Sequence, residues 1–154
     1  MFPLGDDNTG RVRTPVVTYA LIVVNVLVFV FLQGLGTNER FTYAFSTVPQ
    51  EIRTGEDVAR PVRVEVGDEA ATINLQPTPG SVYLTLLVSM FMHGSLMHLL
   101  GNMLFLWIFG DNIEDELGHL RYVGFYLVTG LVASLAHDVS SSFSRKLKLH
   151  LQDR

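Results

Sequence analysis

The chain has 154 residues, a formal net charge of −4, 48% hydrophobic residues and no cysteine. This length fits a single domain. The lack of cysteine excludes disulfides and cysteine-based metal sites, and the absence of a basic patch argues against nucleic acid as a partner. The mean hydropathy is positive, and the apolar residues are concentrated in long segments, which favours a membrane protein.

The chain begins with a short polar arm, residues 1–14, followed by the first apolar segment. Pro15 to Leu32 is a run of 18 residues without a charge, close to the roughly 20 residues that cross a bilayer core. We predict a retained membrane helix over about 15–32. A cleaved signal peptide is the alternative, and it is disfavoured because no small-x-small cleavage site follows Leu32.

Residues 33–80 form a charged loop that we place outside the membrane. Within it, Val62 to Val66 alternates between apolar and polar residues, Gly67 interrupts the pattern, and a second alternating stretch, 71–75, follows. Two such runs around a short break are typical of a β-hairpin. We therefore predict a small hairpin in this loop.

The second apolar run, 82–109, is too long for one upright membrane helix. Gly94 interrupts it, and Ser95 is a residue type that caps helices. We predict a helix over about 95–109, preceded by a segment that approaches or dips into the membrane and lines a cavity at residues 92–94. After an acidic connector, a third helix is predicted over about 120–137.

Three strongly polar side chains, His93, His98 and Asn102, lie inside this apolar run. On a helix, His98 and Asn102 are four residues apart and share one face. Polar groups at membrane depth are costly and mark functional sites by default, although hydrogen bonding between packed helices is an alternative. A zinc site is disfavoured because the spacing does not match His-Glu-x-x-His. We expect no metal and no cofactor.

In order along the chain, these motifs resemble the N-terminal half of the rhomboid family of intramembrane serine proteases, over roughly residues 14–137. The residues that carry the resemblance are His93, His98 and Asn102 on the second segment and Gly110, Glu114 and Gly118 after it. The resemblance implies an all-α membrane protein with three transmembrane helices of a rhomboid-type six-helix bundle. The long loop with its hairpin would lie between helices one and two.

The resemblance also implies roles for these residues. His98 and Asn102 would stabilise the oxyanion, and His93 would occupy a structural position at the cavity wall. Gly110, Glu114 and Gly118 would tie the connector to its neighbours. The implied reaction is peptide-bond hydrolysis in transmembrane substrates through a serine, so the expected partners are the lipid bilayer and transmembrane substrates or clients.

The sequence departs from the family in its last part. The resemblance implies a nucleophilic serine in Gly-x-Ser-Gly on helix four and a histidine base on helix six, and neither motif occurs in the 154 residues. Residues 138–154 form a basic tail with both lysines of the chain, Lys146 and Lys148. We interpret this tail as unrelated to rhomboids and the chain as a truncated or frame-shifted endopeptidase, inactive alone. A non-catalytic rhomboid-like module that binds transmembrane clients is the alternative.

For the location, we expect a multi-pass integral membrane protein in the plasma (inner) membrane of a prokaryote. The resemblance places the N-terminus in the cytoplasm, and Arg11 and Arg13 beside helix one agree with the positive-inside rule. The sequence leaves open the substrate, the oligomeric state and whether the tail is a natural end or a frameshift.

Overall fold

The computed structural model describes residues 12–66 and 69–152, with side chains described for residues 12–63 and 72–136. This part of the chain is mostly helical and contains one two-stranded sheet. Its main elements are α1 (Val16–Leu27), α2 (Glu39–Phe45), α3 (Pro49–Thr54), β1 (Pro61–Val66), β2 (Glu69–Asn74), α4 (Leu84–Val88), α5 (Leu96–Phe105), α6 (Asp111–Leu117) and α7 (His119–Gln152).

The described residues divide into two compact units. The first consists of residues 12–38 and 91–129, and the second of residues 39–90 and 130–152. All the residues that the sequence analysis assigned to the site belong to the first unit.

Helix α1 follows Pro15, a residue that suits a helix start because its missing N–H is not needed there. A π-helical turn, Val28–Leu32, continues α1, so the helical path covers the predicted segment 15–32. α1 contacts α5 and α6 within the first unit. Its buried polar residues are Thr18 and Asn25, which places hydrogen-bonding groups on the face that meets the other helices.

The second predicted helix starts where expected but extends further. Ser95 is the N-cap of α5, and its Oγ accepts a hydrogen bond from the N–H of His98 at 3.1 Å. The helical path does not end near residue 109, because the π-helical turn Leu106–Gly110 leads directly into α6. Gly110 keeps helical angles, φ −63° and ψ −40°, and the path ends at Leu117. The acidic connector is therefore helical.

The third predicted helix, 120–137, lies inside α7, which continues to Gln152. The chain contains no glycine or proline after Gly130, so nothing in the backbone chemistry stops the helix there. The change in composition at Asp138 therefore does not coincide with a helix end. The side chains of residues 137–152 and the polar-arm residues 1–11 lie outside the described set.

Among the described residues, two helical stretches are long and apolar enough to cross a membrane, Leu96–Leu117 and His119–Ala136. Val16–Leu32 is a shorter apolar helix. Large apolar side chains on these helices are exposed, such as Phe105 at 65% and Leu120 at 89%. A helix that is apolar on most sides suits a lipid environment or a large core, and these surfaces are not covered by protein.

The second unit contains the predicted hairpin, which is confirmed. β1 and β2 pair antiparallel, with Val62 opposite Ile73 and Val66 opposite Glu69. In the same unit, Thr47 Oγ1 and Ser89 Oγ lie 2.9 Å apart.

Candidate functional site

The predicted oxyanion pair lies on α5. His98 and Asn102 are one helical turn apart and both side chains are exposed, whereas Leu99 between them is buried. Within the described part of the chain, no hydrogen bond reaches the ring nitrogens of His98 or the amide of Asn102. The two side chains therefore present N–H donors side by side on an otherwise apolar surface.

His93 lies next to this pair and is buried, with 4% of its surface exposed. Its ring meets the ring of His98 edge-on, with centroids 5.4 Å apart and planes at 68°. The Nδ1 atom of His93 has no hydrogen-bond partner among the described residues. The buried ring of His93 thus packs against the exposed ring of His98.

The backbone of His93 is held by Gln33, a residue that the sequence analysis did not single out. The Gln33 side chain donates from Nε2 to the His93 carbonyl oxygen at 3.1 Å and accepts from the His93 N–H at 2.9 Å. Gln33 is 2% exposed. The one indication of its role in the sequence was that Gln33 is a lone amide at the end of the first apolar run.

Glu114 joins α6 to the start of α1. Its Oε2 accepts from the backbone N–H and the hydroxyl of Thr18, both at 2.7 Å, and its Oε1 accepts from the N–H of Val17 at 2.9 Å. His119 Nδ1 lies 2.6 Å from the same Oε1. The N–H groups in the first turn of a helix lack partners within the helix, and the carboxylate supplies them with an acceptor.

Two glycines flank Glu114, and each has its own physical reason. A Cβ at Gly110 would lie 2.6 Å from the hydroxyl of Tyr122 and 3.1 Å from Thr18 Cγ2, so only glycine permits this close approach. Gly118 has φ +75°, a conformation that favours glycine, and a Cβ there would meet nothing within 4 Å. Gly110 serves packing, and Gly118 ends α6.

Asp115 extends the same tether to the residues before α1. Its carboxylate accepts from the N–H of Arg13 at 2.6 Å and from the N–H of Val12 at 3.2 Å. The guanidinium of Arg13 also donates to the Asp115 carbonyl. Neighbouring residues of α6 thus hold the chain on both sides of Pro15.

Three of the described serines perform local structural roles. Ser95 caps α5, Ser46 Oγ donates to the Thr42 carbonyl at 2.6 Å, and Ser89 Oγ contacts Thr47. Among the described side chains, no serine hydroxyl is hydrogen-bonded to a histidine ring; Ser95 Oγ contacts only the backbone N–H of His98. Over the same residues, no group of three or more His, Cys, Asp or Glu side chains could hold a metal ion.

These features are typical of a membrane protein built from helices. Helices able to cross a bilayer carry polar side chains on lipid-type surfaces, and Glu114 fixes the helices to one another. Residues 80–147 match the family model of the rhomboid domain. The match supports the relationship to the rhomboid family that the motifs predict, and together with the two candidate spans it indicates a membrane protein.

The matched range includes all six residues that carry the resemblance, from His93 to Gly118. It also continues past His137 to residue 147, and so covers part of the segment that the sequence analysis set apart as an unrelated tail. No curated protein and no solved structure matches the chain.

Proposed function

We propose that the chain supplies the oxyanion-stabilising half of a rhomboid-type intramembrane serine endopeptidase, an enzyme that hydrolyses peptide bonds in transmembrane substrates. The observation that carries the proposal is the pair His98 and Asn102, exposed on one face of α5 inside the segment that matches the rhomboid domain. Amide hydrolysis places negative charge on the carbonyl oxygen, and preorganised donors stabilise that charge.

The chemistry of the two side chains fits this role. An asparagine amide offers two N–H donors and a neutral imidazole offers one. Since the side chains are one turn apart on a helix whose start is fixed by Ser95, they can converge on one oxygen atom. No other described side chain occupies these donors, which leaves them available to a substrate.

We propose that these 154 residues do not hydrolyse substrate on their own. A serine is a weak nucleophile without an adjacent general base. The sequence has no Gly-x-Ser-Gly, and no described serine hydroxyl is hydrogen-bonded to a histidine ring. A fluorophosphonate probe, which labels activated serines, should therefore leave the purified chain unlabelled.

In the membrane, we propose a multi-pass arrangement with the N-terminus in the cytoplasm, in the inner membrane of a prokaryote. The two candidate spans and the shorter apolar helix support the membrane location, and the arginines before that helix support the orientation. The charged loop 33–80 would then lie on the outer side.

A chimera tests the endopeptidase proposal. The segment of an active rhomboid protease that corresponds to residues 80–137 is replaced by the same segment of this chain, and cleavage of a transmembrane substrate is followed. We expect cleavage, and we expect Asn102→Ala or His98→Ala to lower kcat by about 10²–10³-fold. The matched control is Asn112→Ala, an exposed amide on α6 that donates to the Ile108 carbonyl. Full activity in the Asn102→Ala chimera would refute the oxyanion assignment.

A second candidate function is a non-catalytic membrane module that binds transmembrane clients. The observation in its favour is the same exposed pair, since polar side chains without partners on a membrane helix pair readily with polar groups of other helices. A photo-crosslinker at position 102 would then capture a transmembrane partner, whereas a crosslinker at the lipid-type position Leu104 would not. Nucleotide sequencing past the codon of His137 in all three frames separates the candidates, because a shifted frame with Gly-x-Ser-Gly supports the protease.

A further inference from the structure

Gln33 makes a two-point contact with a single residue far away in the sequence. Its amide nitrogen donates to the carbonyl of His93 and its amide oxygen accepts from the N–H of the same residue, at 3.1 and 2.9 Å. Both residues are buried, at 2% and 4% exposure. A buried backbone group without a partner is costly, so this pairing strongly favours one position of the His93 backbone.

Two restraints fix the beginning of the helix that carries the oxyanion pair. On one side of Gly94 is the Gln33 contact to His93, and on the other is the Ser95 cap, which binds the N–H of His98. Gly94 contributes no packing of its own, because a Cβ there would meet nothing within 4 Å. The path into α5 therefore depends on the restraints that flank this glycine.

The Gln33 contact also reaches the side chain of His98. The ring of His93 projects from the backbone that Gln33 holds, and it packs edge-on against the ring of His98 with centroids 5.4 Å apart. His98 is exposed as a whole, and the ring of His93 is the aromatic neighbour of its imidazole among the described side chains. A shift of the His93 backbone would move the ring against which His98 rests.

We infer that Gln33 is a positioning residue for the oxyanion pair, acting through the backbone and ring of His93 on the imidazole of His98. This inference rests on the proposed function for its meaning in hydrolysis. The physical linkage can be tested on the chain itself, whether or not it contributes to an active enzyme.

The experiment uses the full chain in detergent micelles with labelled histidine and glutamine, followed by NMR. Gln33→Met retains the size of the side chain and removes both hydrogen bonds, and Gln33→Glu retains the acceptor for the His93 N–H. Asn38→Ala is the matched control, since this neighbouring amide donates to the Leu32 carbonyl and not to His93. Hydrogen exchange at the His93 amide reports the contact, and the ring resonances of His98 report its position.

In Gln33→Met we expect exchange at the His93 amide to accelerate about tenfold and the His98 ring resonances to shift. Gln33→Glu should retain the protection of the His93 amide, and its His98 ring resonances should lie closer to those of the original chain. Asn38→Ala should leave both readouts unchanged. Unchanged exchange in Gln33→Met would overturn the contact. Faster exchange with unmoved His98 resonances would overturn the positioning role and leave Gln33 a purely structural residue.

A measurement on the unaltered chain keeps the test decisive if Gln33→Met fails to fold. One of the two side-chain N–H protons of Gln33 should be protected from exchange, because it donates to the buried His93 carbonyl. Exchange of both protons at the rate of a free amide would overturn the inference. A failed chimera with intact His93 protection would instead count against the proposed function alone.

Discussion

The side chain of Glu114 and those of the His98–Asn102 pair differ in burial and in hydrogen bonding. Glu114 is completely buried, and its two oxygens accept from two N–H groups and a hydroxyl of α1 and contact His119. His98 and Asn102 are exposed, and no described residue hydrogen-bonds to their side-chain donors. A buried polar group with complete bonding stabilises the fold, whereas unpaired donors on an apolar helix are available to a ligand. Glu114 thus has an architectural role, and the pair is the proposed functional site.

The largest effect on stability is expected from Glu114→Ala. The variant leaves the N–H groups of Val17 and Thr18 and the Thr18 hydroxyl without an acceptor, and each unsatisfied buried donor costs about 1–3 kcal/mol. We expect the free energy of unfolding to fall by more than about 3 kcal/mol. Thermal or denaturant unfolding in micelles measures it. Glu116→Ala, which removes an exposed carboxylate from the same helix, should change it by less than about 0.5 kcal/mol. Equal effects would show that the buried contacts of Glu114 do not stabilise the fold.

A smaller loss is expected from Gly110→Ala. The added methyl group would lie 2.6 Å from the Tyr122 hydroxyl, and overpacking of this kind costs about 1–3 kcal/mol. Gly124→Ala is the control, because a Cβ there meets nothing within 4 Å, and alanine should gain up to about 1 kcal/mol in a helix. If both variants unfold alike, the turn that contains Gly110 does not approach Tyr122 closely.

Glu51 differs from Glu114, since it is a buried carboxylate with incomplete bonding. Its Oε1 accepts from the Val58 N–H at 2.9 Å, and Oε2 has no partner among the described residues. Burial, with a contribution from Asp57, raises the pKa of Glu51 above its ordinary value of 4.5. The folded state therefore prefers the protonated carboxyl, and this contribution to stability is fully present below pH 4.5 and is lost as the pH rises through the raised pKa.

Glu51→Gln mimics the protonated form and should abolish this pH dependence. Hydrogen exchange at the Val58 amide, corrected for the intrinsic rate at each pH, measures the local stability. We expect slower exchange in the variant than in the original chain at neutral pH and a smaller difference at pH 4.5. Glu56→Gln, an exposed position in the same loop, is the control. Identical pH profiles for the original chain and Glu51→Gln would show that burial does not perturb Glu51.

The smallest effect on stability is expected from Asn102→Ala. The side chain is exposed and no described residue binds it, so the free energy of unfolding should change by no more than about 0.5 kcal/mol. Unfolding in micelles, measured beside Glu114→Ala, checks this value. A loss as large as that of Glu114→Ala would mean that Asn102 belongs to the architecture.

Local sequence patterns predicted the features that depend on neighbouring residues. The Ser95 cap, the start of α5 and the hairpin of β1 and β2 follow from short-range chemistry, and they are confirmed. The predicted end of the second helix was wrong. Gly110 usually indicates a break, but here it is required for close packing and keeps helical angles. The continuation of α7 beyond residue 137 was not predicted, because a change in composition does not by itself end a helix.

Contacts between distant residues could not be predicted in this way. The partners of Glu114 lie almost 100 residues earlier, at Val17 and Thr18. Gln33 and His93 are 60 residues apart. Only the folded chain brings these groups together. The sequence shows a suitable residue type but does not indicate which distant residue it will contact. The structure supplied the partners of Glu114, which the motif did not indicate.

The proposed oxyanion role of Asn102 is tested by kcat of the chimera that contains residues 80–137, with and without Asn102→Ala. An interaction made only in the transition state lowers kcat and kcat/KM equally. We predict a loss of about 10²–10³-fold in kcat with an unchanged unfolding temperature. An unchanged kcat, or a loss that merely follows a lower unfolding temperature, would contradict the assignment of Asn102 to the oxyanion.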